Sequence, residues 1–157
     1  MRTALLLLLT TLLTAAPADV IRKAPDFTWP GAGNKSRSLR SLSGQPVVLV
    51  IADSPRSGAF RKQAAWLRQT YSQLAAKGAV FIAAFREGEG PVKSDIPFVV
   101  ANNGSAVASA YGVEGGFGLV VIGRDGNVDY QTSQVRTGER VRDLIINNFQ
   151  VQAGTRK

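Results

Sequence analysis

Two uninterrupted apolar runs stand out along the chain, "PVVLVIA" from Pro46 to Ala52 and "AVFIAAF" from Ala79 to Phe85. Neither alternates with polar positions, which is the pattern of a strand covered on both faces. Between them Phe60, Ala64, Leu67, Tyr71 and Leu74 recur at steps of four and three, while Arg61, Lys62, Arg68, Gln69 and Ser72 take other faces. This spacing predicts one amphipathic helix across Arg56 to Lys77, ended by Gly78. Asp53 or Ser54 can cap its start, and Pro55 suits its first turn. Together the three segments predict a parallel, right-handed strand-helix-strand unit with Pro46 to Ala52 as the central strand.

Shorter patterns follow. "PFVVA" (Pro97 to Ala101) reads as a short strand and Ser105 to Tyr111 as a short helix. Leu119 to Gly123 and Asn127 to Gln131 flank Arg124-Asp125-Gly126, whose Asp-Gly pair suits a tight antiparallel hairpin. Thr137 caps a last helix, "GERVRDLIINNF", with Val141, Leu144, Ile145 and Phe149 on one face. Ahead of the central strand, residues 19–45 read as an extended lead-in rich in Pro, Gly, Ser and cations, with Phe27, Trp29, Leu39 and Leu42 as apolar anchors. The core then spans 46–150 and residues 151–157 form a flexible tail. The chain is long enough for one domain with a single core.

Residues 1–18, "MRTALLLLLTTLLTAAPA", combine a cationic start, a leucine-rich run and Ala16-Pro17-Ala18. That is the grammar of a cleaved secretory signal, and the apolar run is far shorter than the roughly 20 residues a membrane span needs. The expectation is an exported protein, periplasmic or extracellular, with no membrane span after cleavage. Among the 157 residues there are 19 Lys and Arg against 11 Asp and Glu, a net charge of +8. Such a surface attracts anions, but the cations are scattered and carry no nucleic-acid-binding signature, so no nucleic acid is expected.

The absences narrow the chemistry further. The chain has no cysteine and no histidine, and its one methionine is Met1. Thiol exchange and peroxide reduction through a sulfenic acid both need a thiolate, so neither can run on this polypeptide. Without imidazole, Ser-His-Asp catalysis and the usual zinc sites are also excluded. No cofactor or metal is expected.

Element order and wording nevertheless resemble the thioredoxin-like superfamily, especially exported TlpA-type thiol oxidoreductases and peroxiredoxins. "APDFTWPGAGNKSRSLRSLSGQPVVLV" resembles their lead-in to the central strand, and "SAVASAYGVEGGFGLVVIGRDGNVDY" their later half. The "SPR" junction, "RKQ" and "YGV" are similar to a cysteine-poor thioredoxin-like family of bacterial exported proteins, also a domain of animal sushi-repeat extracellular proteins. The resemblance implies an α/β, thioredoxin-like fold with a central mixed sheet, a C-terminal β-hairpin and flanking helices. It puts Arg56 and Ala59 near the positions of a Cys-x-x-Cys pair, and Phe117 near the superfamily's cis-proline. A cis bond before a non-proline residue costs about 2.5–4 kcal/mol, so a trans peptide is expected there.

Both halves of the usual substrate site are thus altered together. The leading expectation is a noncatalytic binding module for an unknown protein or anionic ligand, with Asp53, Ser54, Arg56 and Arg61 at the strand-helix junction and Gly116 and Phe117 in the Glu114 to Gly118 loop as candidate binding residues. A helix start beside Arg56 and Arg61 can hold an anion. The alternatives are an enzyme running a non-thiol reaction with Asp53, Ser54 and Ser57, or a structural or adhesion component binding acidic envelope polymers. Glu87, Glu89 and Asp95 match no calcium loop, and Asp125 to Asp129 belongs to the hairpin turn. Trp66, off the main apolar stripe, is expected to pack under the lead-in, and Phe117 offers either a core or a contact residue.

Overall fold

A computed structural model describes residues 22–88 and 90–154, with side chains to residue 147. The expected signal segment, Glu89, the Phe149 side chain and residues 155–157 lie outside the described residues. The central run forms β3 (Val47–Ala52), every residue of which is buried. It pairs in parallel with β4 (Val80–Phe85) on one side and antiparallel with β6 (Phe117–Ile122) on the other. A two-residue β5 (Val99–Val100) extends the sheet beyond β4, and β7 (Val128–Thr132) beyond β6, giving the order β5-β4-β3-β6-β7. The hairpin between β6 and β7 turns at Gly126, whose φ of +80° a side chain would resist. Asp125 closes the turn by accepting from the Asn127 N–H at 3.0 Å.

Alternate residues of the buried strands face two separate cores. Leu49, Ile51, Ile82, Val120 and Ile122 pack against the lead-in anchors Phe27, Trp29, Leu39 and Leu42 and against α3 (Gly104–Ala110). The anchors sit in a small hairpin, β1 (Thr28–Pro30) with β2 (Ser36–Ser38), and in a 3-10 turn over Leu39–Leu42. On the other face Val48, Val50, Phe81, Leu119 and Val121 meet α1 (Gly58–Arg68), α2 (Tyr71–Ala76) and α4 (Gly138–Gly154) through Phe60, Leu67, Leu74, Val141 and Ile145. The strands are apolar throughout because neither face meets water. This is the expected mixed sheet with flanking helices, and it is a thioredoxin-like arrangement.

Several expectations need correction. The helix of Arg56 to Lys77 is two helices, broken at Gln69 and Thr70. Thr70 turns inward there and is 3 % exposed, beside Gly138 at the start of α4, where a Cβ would lie 2.6 Å from its hydroxyl. Ser57, not Asp53 or Ser54, caps α1 by accepting from the Phe60 N–H at 3.3 Å, so Pro55 and Arg56 precede the helix. The last helix continues to Gly154, beyond Phe149. Trp66 lies on the face opposite the lead-in, half-buried near the start of α4.

The chain enters the domain at the pole opposite the carboxyl end of β3. The Val128 N–H donates to the Arg22 carbonyl at 2.8 Å, and the Ala24 N–H to the Gly126 carbonyl at 2.9 Å. Lys23 bridges Asn127 between them. Residues 22–24 therefore act as a short extra pairing partner for the hairpin turn.

Candidate functional site

Strands β3, β4 and β5 end at the same pole, and β6 lies on the far side of β3, so the connections change direction there. Open α/β sheets bind ligands outside such carboxyl ends. Asp53 follows β3 directly, and its carbonyl accepts from the Glu87 and Gly88 N–H groups, both at 3.0 Å. Gly88 sits so close to Ser54 that a Cβ there would collide with the serine side chain. The chain after β4 is thereby folded back onto the junction after β3.

Arg86, the first residue beyond β4, organises this pole. Its Nη1 donates to the carbonyls of Glu114 at 3.1 Å and Gly115 at 2.6 Å. The same nitrogen lies 3.6 Å from Oδ1 of Asp53. The other oxygen of Asp53 faces Gly116, where a Cβ would approach it to 2.9 Å. One guanidinium thus ties the β3 junction to the loop before β6. All peptide bonds of the described residues are trans, the one before Phe117 included, as expected.

The predicted residues divide accordingly. Arg56 and Arg61 share a groove of about 470 Å³ with Pro55, Gly90, Pro91 and Lys93. Asp53 and Gly116 meet under Arg86. Ser54 closes the turn between the two places, its hydroxyl accepting from the Arg56 N–H at 3.2 Å. Phe117 belongs to β6 rather than to the loop, is 8 % exposed, and packs in the α1 and α4 core, so it presents no contact surface. Arg86 and Lys93 escaped the sequence reading because "REGEGPVKSD" has the composition of a solvated loop. The usable signal was a cation placed directly after a buried strand at the pole that carries sites.

Charge decides what the groove can do. Among the described residues Arg56, Arg61 and Lys93 form no ion pair, whereas Arg68 is matched by Asp95 at 2.7 Å. Asp95 is therefore occupied away from any cation site. Arg56 also stands at the start of α1, the positive end of an eleven-residue helix. The groups that could act as nucleophiles are engaged otherwise. Ser54 and Ser57 both accept from backbone amides, and neither hydroxyl reaches a carboxylate among the described residues. The large acid-base perturbation lies outside the groove, at Tyr111. Burial pushes its phenol well above the ordinary tyrosine range, partly offset by Arg22, while its hydroxyl donates to the Pro25 carbonyl at 2.8 Å.

Comparison with known proteins agrees with this architecture. A chain assigned as a thiol:disulfide interchange protein DsbE from Chlorobium tepidum is 25% identical, with a TM-score of 0.68 over 82% of this chain and 96% of that one. The mitochondrial 2-Cys peroxiredoxin of Plasmodium falciparum superposes with a TM-score of 0.65 at 17% identity, covering 88% of this chain and 98% of its own. Peroxidoxin BcpB of Mycobacterium tuberculosis gives 0.60 at 19% identity, covering 83% and 96%. No curated protein sequence matches significantly. The profile of the AhpC/TSA family matches residues 20–131, most of the chain and all but the last strand residue and last helix of the fold. The chain belongs to the AhpC/TSA family, and it does so without a single cysteine.

Proposed function

We propose that the protein is an exported, noncatalytic binding module that takes an anionic group of its partner in the groove between Arg56, Arg61 and Lys93. The observation that carries this reading is a groove lined by three cations, without an ion-pair partner among the described residues, at the end of the sheet where open α/β sheets commonly bind ligands. Support also comes from the missing thiol: the family's scaffold is retained while its reactive group is absent. Arg56 stands where the resemblance places a cysteine, so the group offered to a partner there is cationic and hydrogen-bonding. Recognition would be noncovalent and reversible.

The groove is open, and exposed charge contacts are weak, so each cation is expected to contribute about 0.2–1 kcal/mol, up to roughly fivefold in affinity. Titration calorimetry with acetate, phosphate and a sulfated disaccharide tests the reading against Arg56→Ala and the double change Arg61→Ala with Lys93→Ala. Weaker binding of one anion class by both variants is the expected outcome; equal binding by all three proteins removes the proposal. Export is checked separately, by N-terminal sequencing of the protein recovered from the source cells. Without residues 1–18 the 19 Lys and Arg lose only Arg2, leaving 18 against 11 Asp and Glu, and this excess of seven cations favours one further reading, adhesion to acidic envelope polymers. Binding that disappears in moderate salt and ignores Arg56→Ala would select it.

A further inference from the structure

A second hollow, of about 550 Å³, opens between α1, the end of β7 and the start of α4. It shares no lining residue with the Arg56 groove. Its walls are Trp66, Tyr130 and Val135, and its polar lining is Arg136, Thr137 and Arg140. Both rings are half-buried, so each keeps accessible surface. The cations are already arranged around them: the Arg140 guanidinium lies 5.8 Å from the Tyr130 ring centre, and the Lys62 ammonium 4.8 Å from that of Trp66. Arg136 donates from Nε to the Tyr130 hydroxyl at 3.0 Å.

This arrangement is built rather than accidental. Gln63, on α1 and 0 % exposed, grips the backbone of Arg136 from both sides. Its Nε2 donates to the Arg136 carbonyl at 2.8 Å, and its Oε1 accepts from the Arg136 N–H at 2.9 Å. A buried amide is thus used to fix the segment that carries three of the lining residues, Val135, Arg136 and Thr137. Thr137 adds its cap, accepting from the Arg140 N–H at 3.2 Å. Lys62, Arg136 and Arg140 have no ion-pair partner among the described residues. Glu139 is exposed beside them but does not line the hollow.

We propose that this hollow binds a small planar anion, an aromatic ring bearing a carboxylate. The hollow is open on one side, so a flat ligand would lie against the rings with its other face in solvent. Aromatic walls favour a flat apolar body by stacking, and planar guanidinium forks at the rim match a carboxylate in two-point hydrogen bonds. A bare anion would gain nothing from the rings, and a neutral arene would leave the cations unmatched.

The test uses 2-naphthoate as probe, with 2-naphthamide as the uncharged ring and acetate as the ringless anion. The protein has two tryptophans, and Trp29 is 2 % exposed, so a proton-nitrogen correlation spectrum shows two indole signals that Trp66→Phe assigns. Saturable movement of the Trp66 indole signal by naphthoate, with Trp29 unmoved, is expected. Naphthamide and acetate should bind at least about tenfold more weakly, and Arg140→Ala should weaken naphthoate about fivefold. An unmoved Trp66 signal, or naphthamide binding as tightly as naphthoate, overturns the proposal. Arg56→Ala should leave the naphthoate-induced movement of the Trp66 indole signal unchanged, whatever it does to anion binding in the other groove; loss of that movement would refute this site.

Discussion

Replacing Gln63 by methionine isolates the cost of the buried amide clamp. The substitution keeps chain length and approximate volume, so little cavity is formed and the change is almost purely one of hydrogen bonding. Two bonds of 2.8 and 2.9 Å are lost, and the Arg136 N–H and carbonyl lose their side-chain partner. A buried backbone group left without a partner costs about 1–3 kcal/mol. Arg136 is half-buried, so water can reach part of this segment, and the lower half of the range applies to each group. The sum is about 2–4 kcal/mol, a sizeable fraction of the roughly 5–15 kcal/mol that stabilises a domain. In urea unfolding the midpoint should fall by about 1–2 M with an unchanged slope. Gln63→Met should also weaken naphthoate binding, because the segment carrying Arg136 and Thr137 is no longer fixed. A stability loss below about 0.5 kcal/mol, the level of an ordinary surface change, would refute the clamp.

Arg86→Ala removes the three contacts that join the β3 junction to the loop before β6, and nitrogen-relaxation order parameters of Glu114 to Gly116 should fall while those of β3 stay high. Equal order parameters in both proteins would show that the loop holds itself. Tyr111 has a phenol raised by burial, so the folded state prefers the protonated form: this stability is fully present below the ordinary tyrosine value of about 10 and is lost as pH rises beyond it. Absorbance at 295 nm should show one of the three tyrosines ionising only together with alkaline unfolding, and in Tyr111→Phe no such coupled step should remain. Gly104→Ala forces a methyl group into the backbone of Phe85, and a loss above about 1 kcal/mol is expected from thermal unfolding. Peroxide-reduction and insulin-reduction assays of the purified protein should remain at background, and turnover there would contradict the chemistry of a cysteine-free chain.

The two central strands and their parallel pairing were readable because full burial leaves a continuous apolar run, as in β3 and β4. Helix continuity was not. Tyr71 and Leu74 keep the helical step across the break at Gln69 and Thr70, and periodicity registers which face a residue takes, not whether the backbone pauses. Capping was ambiguous for a related reason: Asp53, Ser54 and Ser57 are all competent residue types, and Ser57 is the cap because the helix starts only at Gly58. At the site, Arg56 and Arg61 were legible as cations near a helix start. Arg86 could have been found as a cation directly after a buried strand, whereas Lys93 was hidden because its position depends on a loop folding back, a long-range event that local composition does not encode. Phe117 stood open between core and contact because its strand was read as starting at Leu119; the two extra residues of β6 put it in the core.

The pairing of residues 22–24 with the hairpin turn has a consequence for how the molecule is mounted. From that turn to the Arg56 groove the sheet runs the length of β3, roughly 17 Å at about 3.3 Å per residue. A bead or a surface joined to the chain at Arg22 would grip the molecule at the hairpin turn, away from the carboxyl end of β3. Attachment there should not compete with an anion in the proposed Arg56 groove, which makes that end a suitable handle for an immobilised form.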